Sequence, residues 1–132
     1  MTLNFSTDLI IRLAVATLLG GMLGLEREIH GRPAGLRTHL LVSLGAAAFM
    51  IMSHLVAGMN QSFSGDPGRI AAQIVSGIGF LGAGAIVKEG VNIRGLTTAA
   101  CLWVAAAIGM ACGAGLFSEA FIIAVLAILT GS

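Results

Sequence analysis

Asp66, Arg69 and Gln73 are spaced by three and four residues, so on a helix an acid, a base and an amide share one face, which Gly77 continues. Such a set can hold a small ion, or it can cap a helix and anchor it at a membrane surface, and the spacing leaves both readings open. A second group is Glu26, Arg27 and Glu28, separated by a short stretch from Arg37, Thr38 and His39. Opposite charges at the two ends of one loop can pair across it, as a staple or as part of a site. Asn92, Arg94, Thr97 and Thr98 make a third group, in which threonine hydroxyls can bond a backbone carbonyl or reach a neighbouring helix. His39, His54 and Glu119 are distant in sequence from other ligand types and read as interfacial groups.

No nucleophile stands beside a base, no ligand spacing matches a metal site, and no phosphate loop is present. The chain therefore reads as a non-enzyme with no cofactor, and Asp66 and Glu26 are the first candidates should it bind a metal. Gly77-x-Gly79-x-x-Gly82 matches the dinucleotide fingerprint letter for letter. That motif must follow a strand and be answered by an acid about 20 residues on. Here the answering region holds Ala100, Cys101 and Leu102, so the match is a coincidence of glycine density.

The elements that position these residues follow from composition. Of 132 residues, 57% are hydrophobic and 10% charged, against about 25% charged in an average soluble domain. The apolar residues lie in runs of the ~20-residue length that carries a helix across a bilayer. Four full spans are expected, at residues 8–25, 36–57, 69–87 and 95–113, with a shorter fifth at 116–130. The class is all-α, a polytopic transmembrane bundle forming one domain over 1–132. Asp8 ahead of the first run and Glu26-Arg27-Glu28 behind it fit a retained span better than a cleaved leader. Asp66-Pro67 opens the third span as cap and first-turn residue. The fifth segment falls short of the roughly 17 residues a span needs, and reads as a truncated span with native sequence missing beyond it.

Arg27, Arg32 and Arg37 follow span one and Lys88 and Arg94 follow span three, while the connection after span two has only Arg69. Retention of basic loops inside puts 26–37 and 88–94 in the cytoplasm and the N-terminus outside. A net charge of +1 gives no bulk attraction for nucleic acid. Cys101 and Cys112 lie roughly 16 Å apart along one helix and cannot bridge each other.

Nineteen glycines complete the pattern. Lipid gives apolar helices no hydrophobic reason to associate, so close backbone approach has to supply attraction. Gly20-x-x-x-Gly24 and Ala105-x-x-x-Gly109-x-x-x-Gly113 are stripes of this kind, usable within the chain, in a homodimer or against another membrane protein. Gly77, Gly79, Gly82 and Gly84 crowd the third span, either because it is buried between neighbours or because it bends or approaches an ion or partner closely.

Five ordered motifs, Gly-Leu-Glu-Arg-Glu (24–28), Ala-Gly-Leu-Arg-Thr-His (34–39), Asp-Pro-Gly-Arg-Ile-Ala-Ala-Gln-Ile (66–74), Gly-Ile-Gly-Phe-Leu-Gly-Ala-Gly (77–84) and Arg-Gly-Leu-Thr-Thr-Ala-Ala (94–100), resemble the membrane domain of the MgtC/SapB family. The resemblance covers nearly the whole chain. It implies a bacterial inner-membrane protein linked to growth at low magnesium and, in pathogens, to survival inside macrophages. It further implies a regulator of other membrane proteins, the proton-translocating ATP synthase among them, with ion transport as the competing role. Carried over, the family's polar signature falls on Glu26, Arg27, Arg37, Thr38, Asp66, Arg69, Gln73, Asn92, Thr97 and Thr98. The virulence members of the family continue into a soluble cytoplasmic domain, and this chain stops before one.

Overall fold

The computed structural model describes residues 2–59, 68–89 and 92–131. Five helices carry the fold: α1 (Thr2–Ile29), α2 (Leu36–Met59), α3 (Gly68–Ala85), α4 (Leu96–Gly113) and α5 (Phe117–Gly131). The all-α bundle is as the apolar runs foretell. Ser6–Ile29, Leu36–Val56 and Leu96–Gly113 are long and apolar enough to cross a membrane. The third helix, whose hydropathy is lowered by Arg69, Gln73 and its glycines, is not among them, and Phe117–Gly131 is a shorter apolar helix.

Two boundaries correct the sequence reading. Residues 26–29 continue α1 and do not open a loop, since Glu, Arg and Glu are good helix formers. The helix stops two residues later, where Gly31 takes φ 69 and the Gly31 and Arg32 amides donate to Glu28 O and Arg27 O. That is a Schellman closure, and it requires a residue at ease in the left-handed region. Gly115, at φ 82, ends α4 in the same way. The second correction is at 87–94, where a span end and loop were expected. A short antiparallel hairpin stands there instead, β1 (Val87–Glu89) on β2 (Asn92–Arg94), with Val87 opposite Arg94 and Glu89 opposite Asn92. β-branched Val87 and Ile93 favour extended backbone over helix. Gly95 then returns the chain into α4 at φ 90, in a place where a Cβ would overlap the Ala85 carbonyl.

The core is made of small residues. Ala16, Ala46, Ala47, Ala105, Ala106, Ala120 and Ala124 are buried with Leu19, Leu23, Leu102 and Ile108. Large apolar side chains point the other way: Leu18, Phe49, Phe80, Trp103 and Leu126 are all exposed, Phe80 by 85%. In water such a surface would be an association hazard, whereas in hydrocarbon it matches its solvent. The fold is that of a membrane protein. α2 packs chiefly on α1 and α4, while α3 leans mainly on α4 and touches α2 less.

Candidate functional site

Glycine sets the spacing of α1, α2 and α4. A Cβ on Gly20 would overlap Ser43 Oγ, and one on Gly24 would come within 2.7 Å of His39 Cβ and 2.8 Å of Leu36 Cα. Gly109 faces the Ser43 carbonyl, and Gly113 would bring a Cβ to 2.7 Å from Ala47 O. Both stripes therefore pack against α2, and they meet it around the same residue, Ser43. At this close approach the Ser43 hydroxyl donates to Ala105 O at 2.6 Å, tying α2 to α4. A buried hydroxyl with a carbonyl partner costs little to bury.

Helix α1 enters this arrangement with two arginines. Arg12 pairs with Asp8 at 3.0 Å and also donates from Nη1 to Gly113 O at 2.8 Å, satisfying a carbonyl at the negative end of α4. Arg27 is 2% exposed, although it stands next to Glu26 and Glu28 in the chain. Its Nη2 donates to Thr98 Oγ1 at 3.0 Å, joining the end of α1 to the start of α4. Thr98 is itself buried, and Arg27 Nε has no partner among the described residues.

Other polar groups collect at the same end. His39 is fully buried, with Nδ1–H donated to Gly35 O at 2.9 Å, which leaves Nε2 as an acceptor with no partner among the described residues in the neutral ring. Glu26 Oε1 lies 3.1 Å from His30 Nδ1, and its Oε2 is buried without a partner among the described residues. A cleft of about 600 Å³ opens beside Arg27, lined by Gly31, Arg32, Gly95, Thr97 and Thr98. A second, of about 430 Å³, has Thr38 and Thr98 in its wall together with Gly84 and Phe80.

Of the residues singled out by spacing, Glu26, Arg27, Thr97 and Thr98 come together at this end, and Thr38 joins them through the second cleft. Arg37 is exposed at the start of α2. Arg69 and Gln73 are exposed near the start of α3, about 24 and 18 Å along the axis from its other end at Ala85. Gln73 borders an apolar groove of about 510 Å³ with Phe49, Ile70, Gly77 and Leu81. The polar set is thus divided between the two ends of the bundle. Asp66 and the Asn92 side chain lie outside the described residues. No group of three His, Cys, Asp or Glu that could hold a metal occurs among the described residues.

Sequence reasoning passed over Ser43 and the burial of His39. Both lie on the α2 face that meets Gly20 and Gly24, four residues apart. The glycine stripe of α1 was the available signal, because a stripe of that kind needs a facing row of small or hydrogen-bonding residues.

Residues 13–132 match the MgtC family. The chain belongs to that family. Among its relatives is the Protein MgtC of Brucella abortus (strain 2308), 59% identical over 122 residues, an overlap of 89% of this chain and 49% of that protein. Protein MgtC of Salmonella typhimurium (strain LT2) is 54% identical over 111 residues, covering 84% of this chain and 46% of that protein. A Synechocystis protein, slr0014, is 55% identical over 111 residues, 84% of this chain and 45% of its own length. The chain spans about half the length of these curated relatives. No solved structure gives a significant match. The MgtC membership agrees with the exposed apolar surface in making this a membrane protein.

Proposed function

We propose that this chain is the membrane-embedded part of a regulatory protein of the bacterial inner membrane, acting by contact with other membrane proteins and not by catalysis. Its physiological setting is adaptation to low magnesium and, in a pathogen, survival inside host cells, and the proton-translocating ATP synthase is the first partner to test. The basic connections 26–37 and 88–94 face the cytoplasm in this reading.

One observation carries the proposal. Gly20, Gly24, Gly109 and Gly113 are filled by the chain's own atoms, whereas a Cβ at Gly77, Gly79 or Gly84 would meet no atom of the described residues within 4 Å. Helix α3 therefore carries unfilled glycines on two sides, Gly77 and Gly84 with exposed Phe80 on one and Gly79 with exposed Val75 on the other. Bare backbone in lipid gives up packing attraction that a partner helix would recover. The partner surface is accordingly α3, and the stripe of α4 belongs to internal packing. Photo-crosslinkers placed at Val75 and at Leu126 on α5 test this. Crosslinks to co-reconstituted ATP synthase from Val75 and none from Leu126 support it; equal yields from both positions count against it.

The competing reading is a path for a small inorganic ion beside α3. Gln73 favours it, as a polar group in the groove between α2 and α3. It is the single polar side chain among the described residues lining that groove, and the remaining lining is apolar.

A further inference from the structure

The 600 Å³ cleft at the end of α1 has the chemistry of an oxyanion site. Arg27 is a permanently charged group, 98% removed from solvent by a relative exposure of 2%. Burial of an ion without a counter-charge is costly, and arginine cannot escape by losing its proton. Among the described residues no carboxylate lies within ion-pair distance of Arg27: the Glu26 carboxylate lies 3.1 Å from His30 Nδ1, and Asp8 pairs with Arg12. Among the described residues the one bond from its guanidinium goes to a neutral hydroxyl, Thr98 Oγ1, and Nε has no partner.

The surroundings of this charge are donors. Arg32 and Thr97 line the same cleft, and both are exposed to its opening. Thr98 accepts from Arg27 through oxygen and so keeps its own hydrogen to donate. The wall also contains the start of α4, whose first-turn amides have no intrahelical acceptor. Gly95 caps that helix without any side-chain hydrogen bond. A second cation, two hydroxyls and the positive end of an 18-residue helix converge on a guanidinium that has no carboxylate in ion-pair contact among the described residues.

We infer that this cleft binds a phosphate group, held between Arg27, Arg32, Thr97, Thr98 and the first turn of α4. A fork of guanidinium donors with hydroxyls and helix amides is the arrangement that fits phosphate oxygens. The phosphate comes either from an anionic lipid headgroup at the membrane surface or from a free phosphate ion. The inference rests on the membrane reading of the helices and is independent of the regulatory one.

The test uses the whole chain in dodecyl maltoside. In one arm, native mass spectrometry compares retention of phosphatidylglycerol with phosphatidylcholine of the same chains. In the other, inorganic phosphate is titrated into lipid-free micelles against chloride at equal ionic strength, reading the thermal midpoint. Selective retention of phosphatidylglycerol identifies a headgroup, and a midpoint rise with phosphate identifies the free ion. In whichever arm binding is seen, Arg32→Gln with Thr97→Val should weaken it by about tenfold, the loss of one charge-assisted hydrogen bond or more. Arg37→Gln removes a nearby charge outside the cleft and should leave it unchanged. Arg27→Lys should weaken binding as strongly as the rim pair; if it does not fold, the rim pair decides. No preference in either arm overturns the inference, as does a preference that the rim pair leaves intact or that Arg37→Gln abolishes.

Discussion

Arg27 and Thr98, 71 positions apart in sequence, meet at 3.0 Å in the buried junction between the end of α1 and the start of α4. The bond closes the bundle at the end where both basic connections emerge. Thr98→Val keeps the shape of the side chain and removes the acceptor, leaving a buried guanidinium nitrogen unpaired. The expected loss is about 1.5–3 kcal/mol, the range for hydrogen bonds to charged groups. Unfolding by a denaturing detergent, compared with Thr97→Val at the exposed neighbour, measures it; Thr97→Val should change stability by less than about 0.5 kcal/mol.

Ser43 and Gly20 form a complementary pair. Gly20→Ala places a methyl group on the Ser43 side chain and should destabilise by about 1–3 kcal/mol, as overpacking does. Ser43→Gly in the same chain removes the obstacle, so the double variant should be more stable than Gly20→Ala alone. The same unfolding assay, run as a double-mutant cycle, reads the coupling.

Gly77 and Gly79 should respond in the opposite direction. No atom of the described residues would meet a Cβ there within 4 Å, and alanine lacks the conformational cost of glycine in a helix, about 0.5–1 kcal/mol. Gly77→Ala and Gly79→Ala are therefore expected to stabilise the isolated chain, or at least not weaken it. Gly109→Ala, facing the Ser43 carbonyl, should weaken it. A lower midpoint for the α3 variants would show that their face is covered within the monomer.

Arg12 links Asp8 to the last turn of α4 through Gly113 O at 2.8 Å. Arg12→Gln removes the ion pair with Asp8 and weakens the bond to that carbonyl, at a cost of about 1 kcal/mol. Asp8→Asn leaves Arg12 on Gly113 and should cost less. Hydrogen exchange at Ala114 and Gly115 would show whether the loss is localised at the α4 terminus.

The helices were legible because the apolar runs are long and the breakers between them are strong. Gly31 and Pro33 punctuate the chain before α2, and Asp66-Pro67 before α3. The hairpin was not legible: Val87 and Ile93 are as apolar as any span residue, and hydropathy cannot tell two three-residue strands from a frayed helix end. The polar residues were legible as residue types and not as a site. Arg27 reads in sequence as one of three alternating charges, and only the docking of α4 on α1 shows that it turns inward while Glu28 stays exposed. The glycine stripes were legible as contact surfaces, but their partners were not, since a stripe facing α2 and one facing lipid have the same spacing. Those of α1 and α4 turned out to face α2, and Gly77, Gly79 and Gly84 of α3 border unfilled grooves while Gly82 packs against Ala99.

The contact proposed for α3 is tested most directly by co-reconstituting the chain with purified bacterial ATP synthase and measuring ATP-driven proton pumping alongside co-elution. The expected result is that the parent chain co-elutes and changes the pumping rate, and that Gly77→Leu with Gly79→Leu abolishes both while the helical content and thermal midpoint are retained. Association and pumping unaffected by those two leucines, with the variant folded, would contradict it.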